Sequence, residues 1–458
     1  MRRWLGILLL LPLLVNCTGA VSQRATPSSP FLPSPTATSR PTPTPEPTAA
    51  ANTLLVAAQH PVGNISPYVY GANTGPWSFV SAELMPLAEA AHIRYLRFPG
   101  GNWGDQNDLR PAQIDAFIAL CRRLGAEPAI SVRLRGGTPE QAAELVRYTN
   151  LARGYHVRYW SIGNEPDLYG DYDLTRYNAA WRATAEAMLA VDGDILLIGP
   201  DLSQVRPDDP LTDDQGQPWL RGFLEANGDL VDIVAVHRYP FPHANGQPAT
   251  ASELLANPPE WDRIIPYLRE TVREATGRDL PLAITEVNSH WSGATGGEAT
   301  PDSYFNAVWW ADVLGRLIRQ NVSMVAYFAL QSPAQMGGWG LFGRFDVRPT
   351  YGVYRLYARL GDQLLLTDSG IEGVSLTAAR ETQEEGHSAL TIIVVNRNTY
   401  TVNATLRLPQ WRSAQAAEIW QLGQDGLPQR VPGFWIEDGS PIELPPTSVT
   451  LYILKEQP

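Results

Sequence analysis

The chain has 458 residues, of which 44% are hydrophobic and 18% are charged, and its formal net charge is −12 at pH 7. This composition is typical of a globular protein and excludes a disordered chain. The length allows two or three domains, or one large barrel with an accessory module. The acidic balance argues against a nucleic-acid partner and favours a neutral or weakly charged ligand.

The chain begins with a predicted export signal, MRRWLGILLLLPLLVNC (1–17), in which two arginines precede an apolar stretch that is short for a membrane span. Its end, LVNC, resembles a bacterial lipobox, and the resemblance implies lipidation of Cys17. Asn16 stands where that pattern has a small residue, so an ordinary signal peptide or an uncleaved anchor is the alternative. We expect an exported protein that is lipid-anchored on the extracytoplasmic side or secreted.

Residues 18–52 are rich in Pro, Thr and Ser and predict an extended spacer. A strand is predicted next, within 53–66, and we expect it to join the C-terminal domain and so tie the two domains together. Beyond Cys17 there is one further cysteine, Cys121, which lies on the apolar side of a helical pattern. It predicts a buried packing residue, and the fold must depend on a large core because no disulfide partner exists.

From residue 67 to 360, short β-branched or aromatic runs alternate with stretches of helical periodicity, the pattern of parallel βα units. The predicted strands are 67–73, 94–101, 127–134, 158–166, 194–202, 232–240, 281–288 and 324–331. Eight such units predict a (β/α)₈ TIM barrel. An open doubly wound sheet is the alternative, but no Gly-rich phosphate fingerprint follows the first strand.

Beyond residue 361 the pattern changes to short segments with alternating apolar and polar residues, separated by turns. This pattern predicts an antiparallel β-sandwich over 361–458. The predicted fold class is therefore α/β, a TIM barrel with a C-terminal sandwich that includes the N-terminal strand.

Two glutamates stand at predicted barrel strand ends, Glu165 in GNEPD after the fourth strand and Glu286 in ITEVN at the seventh. Taken singly, each would be a solvated acid. Active sites of barrels lie at the carboxyl ends of the strands, so the pair predicts two carboxyl groups facing one cavity. Glycosidic bond cleavage requires such a pair, one protonated and one ionised.

The order of these motifs resembles clan A of the glycoside hydrolases. LRFPGGN (96–102) resembles the arabinofuranosidase-like family 51, whereas SIGNEPDLY (161–169) is closer to the heparanase-like family 79, with family 39 also near. The resemblance implies a retaining hydrolase that cleaves plant-type oligo- or polysaccharides. It makes Glu165 the general acid/base and Glu286 the nucleophile.

The same resemblance implies supporting roles for residues at other strand ends. Asn164 would bond the sugar 2-hydroxyl, Arg97 would keep the nucleophile ionised, and Asn102 would touch the substrate. His237 and Tyr239 correspond to polar residues near the nucleophile. A purely structural ion pair is the alternative for Arg97, and a satisfied strand-end histidine is the alternative for His237.

Aromatic residues in predicted loops suit the apolar faces of sugar rings. Core packing is the alternative for each of them, and we expect it for Trp160, Trp309 and Trp310. The predicted stacking residues are Trp77, Trp103, Trp291 and Trp339.

The sequence contains no recognised metal or cofactor motif, and the acidic stretch 207–217 predicts a solvated loop rather than a calcium site. A carbohydrate substrate is the expected partner. We expect the protein to contact the membrane only through its N-terminal lipid anchor. Three other functions fit parts of the pattern: a non-catalytic carbohydrate-binding lipoprotein, a transglycosylase, and a solute-binding lipoprotein. The last is disfavoured because no two-lobed division is evident.

Overall fold

The computed structural model describes residues 47–241, 249–332, 337–381 and 389–457. The predicted export signal, Cys17 and most of the predicted spacer lie outside these ranges, so lipidation and export stay predictions. Within the described ranges, no helix has both the length and the hydrophobicity that a membrane span requires.

Eight parallel strands close into a barrel in the described part of the chain, each paired with its neighbours in sequence order. The predicted fold class is confirmed. The strand before the barrel is β1 (Thr53–Asn64), and the barrel strands are β2 (Gly71–Asn73), β3 (Tyr95–Phe98), β4 (Glu127–Val132), β5 (Tyr159–Ile162), β6 (Leu196–Leu202), β7 (Ile233–Arg238), β8 (Leu282–Val287) and β9 (Met324–Tyr327).

All eight barrel strands are shorter than the predicted segments. The first was expected from residue 67, but Pro67–Val69 forms a 3₁₀ turn capped by the Ser66 hydroxyl. Pro67 has no N–H for a ladder and its fixed φ suits a first helical turn. The eighth ends at Tyr327 instead of extending to residue 331.

The helices that connect the strands carry clear start and stop signals. Thr138, Asp173 and Ser303 accept backbone N–H groups at N-caps, and Gly125 ends a helix with φ +66°. The helices are α1 (Met85–Ala90), α2 (Trp103–Gln106), α3 (Pro111–Leu124), α4 (Pro139–Val146), α5 (Leu174–Leu189), α6 (Trp219–Asn227), α7 (Ala251–Ala256), α8 (Trp261–Thr276), α9 (Tyr304–Arg319) and α10 (Thr350–Tyr357).

The second domain, predicted as an antiparallel sandwich, is a nine-stranded sheet that curls on itself. β1 lies inside this sheet, as predicted for the N-terminal strand. It pairs antiparallel with β10 and parallel with β13, and the parallel pairing was not predicted. The remaining strands are β10 (Gln363–Ser369), β11 (Val374–Glu381), β12 (Ala389–Asn396), β13 (Val402–Arg407), β14 (Glu418–Leu422), β15 (Pro428–Val431), β16 (Ser440–Leu444) and β17 (Ser448–Lys455).

α9 joins the barrel to the sheet and is buried along most of its length. Its Asp312 carboxylate lies 2.7 Å from Arg397 Nε and 3.0 Å from Arg316 Nε, and it accepts a hydrogen bond from the Ser375 hydroxyl at 2.6 Å. A buried charge is tolerated when it is paired and hydrogen-bonded. This cluster therefore fixes the sheet against the barrel.

Candidate active site

Glu286 lies near the end of β8, with 3% of its surface exposed. One carboxylate oxygen accepts from Arg97 Nη1 at 2.7 Å and from the Gly101 backbone N–H at 2.6 Å. The other accepts from the Tyr239 hydroxyl at 2.8 Å. Three donors, one of them a cation, therefore bind this carboxyl group.

A local irregularity in β8 aims Glu286 into the barrel. The pairing of β8 with β9 shifts register between Ile284 and Val287. Ile284 and Val287 pack in the core between barrel and helices, whereas Thr285 hydrogen-bonds inward to Asp201. Successive side chains of a strand point to opposite faces, so Glu286 would point outward after the inward Thr285. The bulge adds one residue to the strand and turns Glu286 inward as well.

Glu165 follows β5 and adopts a left-handed backbone conformation, with φ +49°. Its backbone N–H donates to the Asp201 carbonyl at 3.0 Å, and a 3₁₀ turn starts at Pro166. This conformation costs about 1 kcal/mol for a residue with a Cβ. The strained turn places the carboxyl at the barrel mouth, 13% exposed, with His237 Nδ1 3.0 Å from Oε1.

The environments of the two carboxyls differ. Burial raises the pKa of Glu165, although the hydrogen bond from His237 opposes the shift. Glu286 instead accepts the three donors described above. Oxygens of the two glutamates lie within 4.8 Å of each other, which fits the separation of about 5–5.5 Å found in retaining glycosidases. The site can therefore hold one protonated and one ionised carboxyl.

Arg97 is fully buried at the centre of this site. Besides Glu286, its guanidinium donates to the side-chain oxygens of Asn73 at 3.2 Å, Asn164 at 2.9 Å and Asp201 at 3.3 Å. The predicted contact with Glu286 and the alternative of a structural ion pair are thus both present in the geometry. Arg97 joins the ends of five barrel strands into one network.

The Asn164 side chain lies inside the protein rather than facing the open cavity. It is 2% exposed, and its amide donates to Asn102 Oδ1 at 2.9 Å while accepting from Arg97. Asn102, by contrast, lines the cavity. In this arrangement the side-chain amide of Asn102 faces the cavity, and the hydrogen bond from Asn164 holds that amide in place.

An open cavity of about 730 Å³ lies above both glutamates. The predicted stacking residues all line it, while the tryptophans predicted for the core are fully buried. Trp77 stacks on Phe328 with ring centres 6.4 Å apart, and Trp339 meets Phe328 edge-on at 5.3 Å. The aromatic lining comprises Trp77, Trp103, Tyr239, Trp291, Phe328 and Trp339.

Comparison with known proteins agrees with this geometry, although no family model matches the chain. An intracellular exo-α-(1→5)-L-arabinofuranosidase of Streptomyces lividans is 25% identical over 35% of this chain and 30% of its own length. A heparanase of Rattus norvegicus is 24% identical over 68% of this chain and 58% of its own. The predicted resemblance to clan A glycoside hydrolases is confirmed.

Solved structures show the same fold. An α-L-arabinofuranosidase from Thermotoga maritima superposes with a TM-score of 0.71 at 17% identity, covering 88% of this chain and 99% of that one. A family 44 xyloglucanase from Paenibacillus polymyxa gives 0.69 at 16% identity, covering 89% and 100%. At these identities the likeness establishes the fold. The curated relatives named above are matched over less than two thirds of their length.

Among the described residues, one cluster of side chains has the composition and spacing of a metal site, but its surroundings disfavour a metal ion. Glu165, His237 and Glu286 each bring one potential ligand atom within 4.8 Å of the others. However, the Arg97 guanidinium 2.7 Å from Glu286 repels a cation. His237 Nδ1 is also engaged with Glu165.

Two further members of the site were missed in the sequence. Asp201, which ion-pairs with Arg97, lies near the end of β6, the fifth barrel strand, and Asn73 ends β2, the first. Both are buried polar residues at the carboxyl ends of barrel strands. The same position at a strand end identified Glu165 and Glu286 in the sequence, so this signal could have found them. The contact of the Gly101 N–H with Glu286 could not be predicted from residue type, because every residue except proline carries this backbone group.

Proposed function

We propose that this protein is a retaining glycoside hydrolase that works by double displacement. The observation that carries the proposal is the pair Glu165 and Glu286, two carboxyls within 4.8 Å of each other. Burial raises the pKa of Glu165, whereas Glu286 is bound by the Arg97 guanidinium. The relatives support the same class, since those named above are glycoside hydrolases. Plant-type saccharides are the proposed substrates.

In the first step the ionised Glu286 attacks the anomeric carbon while Glu165 gives its proton to the departing oxygen. The bond to the leaving group breaks as the ester to Glu286 forms. In the second step Glu165, now ionised, takes a proton from water, and the water oxygen displaces Glu286. Arg97 and Tyr239 hold the carboxylate for attack and stabilise it when it leaves.

The cavity suits a neutral sugar at the site of attack. Among the described residues that line it, none is Lys, Arg or His. A uronide would bring a carboxylate that finds no cation among these residues, and burying an unpaired charge is costly. An α-L-arabinofuranosyl group, the kind of sugar named for the Streptomyces relative, needs none. We therefore favour arabinofuranosidase-like over heparanase-like activity.

The test is turnover of a panel of aryl glycosides by the purified chain, with NMR detection of the first-formed anomer. We expect α-L-arabinofuranoside to be hydrolysed fastest, with retention of configuration. An inverted product would contradict the mechanism, and preference for a β-D-glucuronide would contradict the neutral sugar. Transfer to added alcohols in place of water would favour the transglycosylase alternative. Saccharide binding without turnover would favour the binding-protein alternative.

The pH profile tests the proposed role of Glu165. Because Glu165 must be protonated to act as an acid, kcat/KM should fall as pH rises through its pKa. Burial places that alkaline limb above the usual glutamate pKa of about 4.3. In His237→Gln the imidazole charge that lowers this pKa is lost, so the limb should move to higher pH.

His60→Gln is the matched control, because His60 is exposed on β1. It should leave the pH profile unchanged. A downward shift of the alkaline limb in His237→Gln would contradict the assigned coupling.

A further inference from the structure

A second cavity, of about 490 Å³, adjoins the catalytic cavity. The two share Asn102, Gln106, Glu165 and Leu168, so they meet beside Glu165. Among the described residues, Glu286 lines the first cavity and not the second.

This arrangement assigns a direction to the substrate. In double displacement the nucleophile contacts the anomeric carbon of the retained sugar, and the acid lies at the departing oxygen. A cavity that contains Glu165 without Glu286 therefore lies on the leaving-group side. This step rests on the proposed function.

Three arginines line the second cavity, which we name the arginine cleft: Arg133, Arg135 and Arg176. Arg133 Nη1 lies 3.0 Å from Asp108, while Arg135 Nε and Arg176 Nη1 lie 3.2 and 3.3 Å from Asp171. Three guanidinium groups thus share two carboxylates. Each of these pairs is solvent-exposed, and such pairs are weak and exchange readily for a ligand.

The other acidic groups of the cleft, Asp105 and Glu165, are more buried than the three guanidinium groups. Asp105 accepts hydrogen bonds from the backbone N–H groups of Leu134, Arg135 and Asn164, and burial raises its pKa. Burial raises the pKa of Glu165 in the same way. The charged groups that a ligand in the cleft meets first are therefore the exposed guanidinium groups, on a chain whose formal net charge is −12.

We propose that the arginine cleft binds an anionic leaving-group saccharide, one that carries carboxylate or sulfate groups. Arginine presents five N–H donors in a planar fork that fits both groups. The contacts above use part of each fork, so donors remain for a ligand. The enzyme would thus remove a neutral sugar from an acidic chain.

The test compares kcat/KM for oligosaccharides that bear the same α-L-arabinofuranosyl group on different leaving parts: a uronate-containing part, its carboxyl-reduced form, and a sulfated form. We expect the wild-type chain to prefer an acidic leaving part over the reduced one by about tenfold, with the preference falling at high salt. Whether the uronate or the sulfated part is preferred identifies the anion.

Three variants assign the preference to the cleft. Arg135→Gln combined with Arg176→Gln should abolish it. Asp171→Asn should increase it, because a competing carboxylate is removed, and a merely structural role would not produce this gain. Arg182→Gln is the matched control, since Arg182 pairs with exposed Asp229 between α5 and α6. It should leave the preference unchanged.

Calorimetric titration with a uronide trisaccharide and its carboxyl-reduced form separates this inference from the proposed function. Salt-sensitive preference for the uronide without any turnover would overturn the proposed function and retain the anion site. Equal binding of the two saccharides, or equal kcat/KM for the acidic and reduced substrates, would overturn the inference even if arabinofuranosides are hydrolysed.

Discussion

Replacing Glu286 with glycine is expected to lower kcat/KM on an aryl α-L-arabinofuranoside by about 10⁴-fold or more, because no covalent intermediate forms without the carboxylate. Added azide should restore turnover. A small anion can enter the space that the side chain leaves beside the Arg97 guanidinium and attack from the same face. The product should be a glycosyl azide of inverted configuration, since one displacement replaces two.

Two variants control for loss of folding. Glu286→Gln keeps the shape and should be equally inactive without azide rescue. Glu260→Gln removes a different partly buried carboxylate, which pairs with Arg238 at 2.6 Å outside the lining of the catalytic cavity, and should keep near-normal activity. A rescued product of retained configuration would assign the nucleophile elsewhere.

Replacing Glu165 with alanine is expected to lower activity in proportion to how much the leaving group needs a proton. For a saccharide leaving group the loss should be about 10²–10⁴-fold. For a dinitrophenyl group, whose phenolate departs unaided, formation of the covalent intermediate should be little affected. Burst kinetics would reveal the intermediate accumulating, because its hydrolysis also needs Glu165 as a base.

Azide should again accelerate turnover, now giving an azide of retained configuration. Glu165 and Glu286 are therefore distinguished by the stereochemistry of rescue in otherwise identical experiments. Equal losses for the saccharide and dinitrophenyl leaving groups would contradict the role of Glu165 as the acid. Melting curves of Glu165→Ala and Glu260→Gln would show whether either change disturbs folding.

The barrel could be predicted because its evidence is local. Each strand is a short apolar run, and helices such as α4 and α5 begin at capping residues that the sequence displays. Hydrophobicity and position in the chain also separated buried Trp160 from cavity-lining Trp291, which is 53% exposed. The two glutamates followed from one rule, that barrel sites form at strand carboxyl ends.

The rest of the site depends on three-dimensional register. Glu286 points inward because of a bulge, and no residue type in β8 indicates a bulge in the sequence. The left-handed conformation of Glu165 depends on a hydrogen bond to the Asp201 backbone, and Gly101 contributes only an N–H. The sugar contact of Asn164 stays a prediction, whereas the hydrogen bonds of its amide to Arg97 and Asn102 could not be predicted from the sequence. Contacts of this kind require coordinates.

The position of β1 has a consequence for how the chain reaches its native state. This strand is made before the barrel, yet its neighbours β10 and β13 are made roughly 300 residues later, about 15–60 seconds at ~5–20 residues per second. Throughout that interval both edges of an apolar strand are unpaired, the condition in which strands recruit other chains. The first strand to emerge therefore depends on the last domain for protection against aggregation.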